Sequence, residues 1–449
     1  MRYIDSLNLN ENIKIFILIE PGLGYIIPVL QERFKTSKIL VLHIENFSAE
    51  NTYSAASSIY STDAKEIQIF LETHIQEENI ANIKVIEWRP SLNYYKDVYV
   101  KLLSQVAGFL KRTDAVNRTT AVFGRRWFRN FFRNLENLKK IILYKKANLP
   151  VIITGSGPGL EQEMDFIHKV QSHCLIIASS SSVMALLHNN IKPDIVIATD
   201  GSPWALWHIY PYLRDKTEKM FAVNMCAALP SQCTDVSRLI INDGSLWQSV
   251  ILHELSIPSV IIPQRGTVTA TALELAMILS DSEIYLAGMD LSVQDRTHVK
   301  PYSFDSLFYS QASRILPVTS VLYKRSILIR HGGSMDIYAA WFKNQLSGWS
   351  NKIFYIGQKH RIFDNIDKIQ AEKKITEYNI KNSSLLLKTV DIKNESSLCQ
   401  KGIRALLGSL KNPEYSGLIK QELKSMFNFT DKDFTDNEPE TEIYRLIHG

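Results

Sequence analysis

Cysteine is scarce: the 449 residues contain four, Cys174, Cys226, Cys233 and Cys399. No two form a CxxC pair and none has a histidine at zinc-finger spacing, so a secreted disulfide scaffold does not fit. Reduced thiols in a cytoplasm do. Long apolar runs are also missing. The most apolar early segment, Ile13 to Leu30, is broken by Lys14, Glu20 and two prolines, and no stretch approaches the roughly 18 apolar residues of a membrane helix. The N-terminal segment lacks the apolar region of a signal peptide. A soluble, cytoplasmic protein with no membrane span is expected. Net charge is only +5, from 51 basic and 46 acidic residues, which does not argue for a nucleic-acid binder. HExxH, the Walker A lysine, a complete GxGxxG and any 20–50-residue repeat are absent.

The chain has 45% hydrophobic and 22% charged residues, the profile of a globular protein of two to four domains. Short apolar runs alternate with helical patterns over most of the first 345 residues. Strands are expected at 15–19, 39–44 and 83–88, with helices at 26–34 and 64–74. A second series of strands is expected at 151–154, 175–178, 195–199, 220–223, 239–241, 260–262 and 284–287. This alternation predicts an α/β fold of Rossmann-like, mostly parallel sheets. Four segments follow: an N-terminal α/β domain (1–105), a basic helical linker (106–148), a central α/β domain (149–345) and a mainly helical C-terminal region (346–449). In the linker, Trp127, Phe131, Leu135, Leu138 and Ile142 form one apolar helix face among arginines and lysines. That pattern reads either as a basic surface for an acidic partner or membrane, or as a helix packing its aromatic face on a neighbour.

The loop Gly155-Ser156-Gly157-Pro158-Gly159 lies between an expected strand and a helix, where glycines and a helix N-terminus suit a phosphate or simply make a tight turn. The earlier turn Gly22-Leu23-Gly24 and the acid Glu45 read as a nucleotide fold without a working site. Polar loops also follow later strands, at Ser179–Ser182, Asp200–Pro203, Gln264–Thr269 and Gly288–Gln294. In open α/β sheets, ligands bind outside such carboxyl ends.

Two stretches are more specific. They are GSGPGLEQEMDFI with LIIASSSSVMALLHNNIKPDIVIATDG, and QRGTVTATALELAMILSDSEIYLAGMDLSVQDRTHVKPYSFD. They resemble the central domain of the motility accessory factor family, bacterial flagellin glycosyltransferases, over about residues 150–345. They are also similar to bacterial CMP-sialic-acid-dependent sialyltransferases. That second resemblance places the first nucleotide loop at Gly155, Ser156, Gly157 and Pro158. The family's two donor-contacting asparagines fall near Ser179 and Ser180 and at Asp200, and its serine before the long helix falls at Thr267. One leaving-group tyrosine is replaced by Ser292, and the other matches Tyr302. The catalytic histidine of a His-x4-Asp-Ile pattern matches His331, with Asp336 and Ile337.

The resemblance implies transfer of a nonulosonate, pseudaminic or legionaminic acid, from CMP to serine or threonine of flagellin, as needed for flagellar assembly and motility. His331 is then the base, with His298 or Asp290 shaping the donor side. Hydroxyls and backbone N–H groups stabilise departing CMP. No cofactor beyond the CMP-sugar donor, and no metal, is implied. Two other readings stand beside it. One is a 6-hydroxymethylpterin-type pyrophosphokinase using ATP and Mg²⁺ held by Asp200 and Asp290. The other is a non-catalytic flagellin-binding module.

Overall fold

The computed structural model describes every residue except 1, 8, 46–55, 76, 215–218, 232, 234, 265, 292–296, 324–333, 347–348, 350–351, 358, 379–385, 393–396, 428–442, 446 and 448–449. The chain divides into two compact units. One holds 1–124 with 423–429, the other 125–422 with 430–449.

In the first unit, β1 (Ile15–Ile19), β2 (Lys38–His43), β3 (Ala56–Tyr60) and β4 (Ile83–Glu87) form a parallel sheet in the order β3-β2-β1-β4. All five residues of β1 are buried, as a central strand covered on both faces requires. Asp63 starts the helix Ala64–His74 by accepting the N–H groups of Lys65 and Glu66 at 2.9 and 3.1 Å. β3 lies in a stretch with no apolar alternation and was not expected. The strand order reverses between β1 and β4, but the end of β1 is occupied by the buried carboxylate of Glu20. It accepts the Ile44 N–H at 2.7 Å and lies 3.5 Å from His43 Nδ1. An anion there opposes a phosphate, in keeping with a nucleotide fold without a working phosphate site.

The second unit is built on an eleven-stranded sheet. Its strands are β5 (Lys140–Tyr144), β6 (Val151–Thr154), β7 (Leu175–Ser179), β8 (Ile195–Ala198), β9 (Met220–Asn224), β10 (Ser237–Asn242), β11 (Ser259–Ile261), β12 (Ile284–Ala287), β13 (Ile353–Ile356), β14 (Asp364–Ile366) and β15 (Leu387–Asp391). The order is β14-β13-β12-β6-β7-β8-β9-β10-β5-β15, with β11 also on β10. All pairs are parallel except β15 on β5. The helix Val183–His188 ends at Asn189, with Asn190 at φ 58°. The helix Val268–Leu279 crosses the face of β6, β7 and β8 and delivers the chain to β12 on the far side of β6.

One expectation is corrected. Leu138 and Ile142 are not on a helix: the long helix Asp97–Glu136 ends before both, and 140–144 pair with β10 and β15. The mainly helical region beyond 346 also carries β13, β14 and β15, which extend the central sheet at both edges. Their apolar runs are short and follow polar segments, so no local pattern exposes them, and the neighbouring strand supplies the missing partners. The aromatic face of the long helix is packed, with Phe128, Phe131, Phe132 and Leu135 fully buried and Trp247 against Phe131 at 4.7 Å. Among the described residues, no helix is long and apolar enough to cross a membrane.

Candidate functional site

The sheet reverses its strand order between β12 and β6, the position where α/β sheets place ligands. The loop after β6 and the loop after β12 meet there, backbone against backbone. Gly155 donates its N–H to Ala287 O, Gly157 to Gly288 O and Gly159 to the Asp290 carboxylate, each at 2.8 Å. A Cβ on Gly155 or Gly157 would lie 2.4 or 2.7 Å from Gly288 O, and one on Gly159 2.5 Å from Asp290 Oδ1. These glycines permit close approach of the two loops. The N–H groups that a phosphate-binding loop would offer are therefore used within the protein at all three glycines. Ser156 differs: among the described residues neither its N–H nor its hydroxyl has a partner, and only its carbonyl is used, by Val299 N–H at 2.9 Å.

Asp290 is fully engaged. Its second oxygen accepts the Tyr355 hydroxyl at 2.6 Å. Burial first, then the Asp290 charge, push the Tyr355 hydroxyl far up, so it stays a donor. Behind it His360 stacks on Tyr355 at 4.5 Å. Its Nδ1 accepts the N–H groups of Ile362 and Phe363, and its Nε2–H donates to Met289 O at 3.2 Å. Burial lowers its pKa, so the ring is neutral with a fixed tautomer. Asp290 thus shapes the glycine loop and is a positioning group. Deeper in the same turn Glu163 is 3% exposed, beside Lys368 at 3.2 Å, and burial raises its carboxyl above the ordinary range.

The neighbouring strand ends add hydroxyls and one carboxylate. Ser182 bridges to Thr154 Oγ1 at 2.9 Å and to Ser179 O, stitching the ends of β6 and β7. The Ser179 hydroxyl pairs with Ser181 at 3.2 Å, while the Ser180 hydroxyl has no partner among the described residues. Asp200 is exposed and forms an Asx turn, accepting the Ser202 N–H at 2.8 Å and its hydroxyl at 3.0 Å. Thr267 caps the helix Val268–Leu279 through the Thr269 N–H at 3.3 Å. β12, β6, β7 and β8 are consecutive in the sheet. At about 4.8 Å per strand their ends span roughly 15 Å of one edge.

A strap, residues 297–305, lies over this edge. Lys300 N–H donates to Glu161 Oε1 at 2.8 Å, beside the Val299–Ser156 bond. His298 stacks on Tyr302 with ring centres 4.1 Å apart. Thr297 Oγ1 is 2.8 Å from His298 Nδ1. On its other side Tyr302 meets His208, 5.4 Å away, which is hydrogen-bonded to Ser303. Lys300 pairs with Asp305 and Tyr309. Burial works against its charge, but these two partners outweigh that and raise its pKa.

The structure therefore gathers Gly155, Ser156, Gly157, Pro158, Ser179, Ser180, Asp200, Asp290, His298 and Tyr302 around the ends of β12, β6, β7 and β8, whereas Thr267 follows β11, on the β10 side of the sheet. His331 and Ser292, and the side chains of Asp336 and Ile337, lie outside the described residues. His208, Ser303, Tyr355 and His360 join the site without having been foreseen. His208 sits in an apolar helical run and Tyr355 in the region where the α/β pattern fades, so neither carried a signal of its own. The edge offers hydroxyl donors, one exposed carboxylate and imidazoles beside a tyrosine. These groups can hold a phosphate or sugar and move a proton.

Residues 125–296 match the family model described as 6-hydroxymethylpterin diphosphokinase MptE-like. An uncharacterized protein of Treponema pallidum (strain Nichols) is 27% identical over 342 residues, covering 76% of this chain and 73% of its own. Among solved structures, the MAf glycosyltransferase from Magnetospirillum magneticum AMB-1 superposes with a TM-score of 0.53 at 13% identity. The match covers 96% of this chain and 71% of that one. The fold is thus shared with that protein over 96% of the chain.

Proposed function

We propose that the chain is a glycosyltransferase that moves pseudaminic or legionaminic acid from its CMP donor to serine or threonine of flagellin. One observation carries the reading. Hydroxyls of Ser156 and Ser180 that lack partners among the described residues line the same edge as the His298–Tyr302 stack. The fold shared with the MAf glycosyltransferase over 96% of the chain supports it. In this reading Ser156 and Ser180 donate to the CMP phosphate and Tyr302 to the leaving oxygen. His331 takes the proton of the acceptor hydroxyl. That oxygen forms the new bond to the anomeric carbon, the bond to the phosphate oxygen breaks, and CMP leaves with the electron pair. A single displacement inverts the centre, and no divalent metal takes part.

The match to the MptE-like model favours a second reading, pyrophosphoryl transfer from ATP. The bonds of Asp290 to Gly159 and Tyr355 weigh against its use as a Mg²⁺ ligand. Thermal shift with CMP against ATP plus Mg²⁺ separates the two, and a response to neither favours a binding module. Intact-mass analysis of flagellin from cells with and without this protein tests the transfer itself. Unchanged flagellin mass would sink the proposal.

A further inference from the structure

The loop after β8 is held from below by the long helix. Asn130, 7% exposed, donates from Nδ2 to Gly201 O at 3.1 Å and to Cys226 O at 3.0 Å, tying the β8 loop to the β9 loop. One turn on, Asn134 donates to Met225 O at 2.9 Å and Ala227 O at 2.8 Å, both within the β9 loop. Gly201 lies flat on Trp127: a Cβ there would be 2.5 Å from Trp127 Cδ1. Ala228 N–H closes the assembly on Asp200 O at 2.9 Å. The Asp200–Ser202 turn therefore has a side-chain floor. Asn130 and Trp127 supply it, whereas Asn134, with the same number of bonds, supports only the neighbouring loop.

We propose that Asn130 and Trp127 are positioning residues that preset the Asp200–Ser202 turn for the CMP-linked donor, an inference that rests on the glycosyltransferase reading. Exposed Asx turns sample other conformations freely. Two buried amide bonds and an indole surface remove that freedom before the ligand arrives, which raises affinity by preorganisation. The donor never touches either residue.

The test compares Asn130→Ala with Asn134→Ala in the full chain. Hydrogen exchange is read on peptides covering residues 199–204, and CMP binding is read by calorimetry. Asn130→Ala should speed exchange across that turn tenfold or more, as for a locally opened loop. It should weaken CMP by about 10- to 100-fold, the scale of a roughly 1 Å misplacement, and raise KM for the donor with little change in kcat. Asn134→Ala should leave both the exchange of 199–204 and the CMP affinity near wild type. Should Asn130→Ala fold poorly, Trp127→Phe keeps both amide bonds and should shift both readouts the same way by less. Native exchange at 199–204 in Asn130→Ala or Trp127→Phe, or equal effects from Asn134→Ala, overturns the proposal. Wild-type protein that ignores CMP overturns the donor reading instead, while the exchange comparison still decides whether Asn130 sets the turn.

Discussion

Gly159 donates its backbone N–H to Asp290 across 131 residues of sequence, at 2.8 Å. This bond and the Tyr355 hydroxyl on the other carboxylate oxygen lock the glycine loop to the end of β12. Asp290→Ala removes the acceptor of both. A bond to a charged group contributes about 1.5–3 kcal/mol, so thermal unfolding should show a loss on that scale. Asp290→Asn keeps one acceptor oxygen and should lose less. Equal stability of wild type and Asp290→Ala would contradict the locking role.

The same geometry governs how the loop can be probed. A Cβ at Gly157 would lie 2.7 Å from both Gly288 O and Asp290 Oδ2, so Gly157→Val disturbs the loop packing itself and cannot isolate a ligand contact. Ser156→Ala can. It should weaken CMP binding by about tenfold, the effect of one hydrogen bond to a charged ligand, with the melting temperature unchanged. A lowered melting temperature with normal CMP affinity would make Ser156 a structural residue.

Packing predicts the behaviour of the basic helix. Phe131 is fully buried against Phe132 and Trp247. Phe131→Ala should cost about 3–5 kcal/mol, as for large-to-small core changes, measured by urea unfolding. A neutral result would return this face to the role of a free interaction surface.

Glu163 sets a pH dependence. Burial raises its carboxyl pKa in the folded state above the unfolded value, with Lys368 opposing. The folded chain then holds the proton more tightly. Its contribution to stability is full below the unfolded value, about 4.3, and is lost as pH rises through the folded value. Glu163→Gln should flatten this part of the stability curve, leaving the variant relatively more stable at neutral pH. Parallel melting-temperature profiles of the two proteins would rule out this contribution.

The catalytic assignment is separable by mutation. His331→Ala should cut transfer by about 10²–10⁴-fold, the usual scale for a lost general base, with CMP affinity retained. If His331→Ala transfers normally and His298→Ala is dead in steady-state assays, the base is His298. A dead His208→Ala with both others active would move the role to the far side of Tyr302.

The sequence by itself determined most of the alternation of strands and helices through β12, all but β3 and β5, because five-residue apolar runs bounded by turn residues have few other folds. It also marked Gly155–Gly159 and Asp200 as polar loops after strands, while Tyr302 came only from the family resemblance. Only the tertiary structure decided what the glycines are for. Their closeness to Gly288 and Asp290 depends on β12 inserting beside β6, a non-local pairing no local pattern encodes. The same holds for the sheet edges. β13, β14 and β15 exist because exposed strand edges offer unpaired backbone groups, and segments of weak intrinsic preference satisfy them. The placement of His208 against Ser303 likewise arises from a helix and a loop that meet only once the sheet has formed.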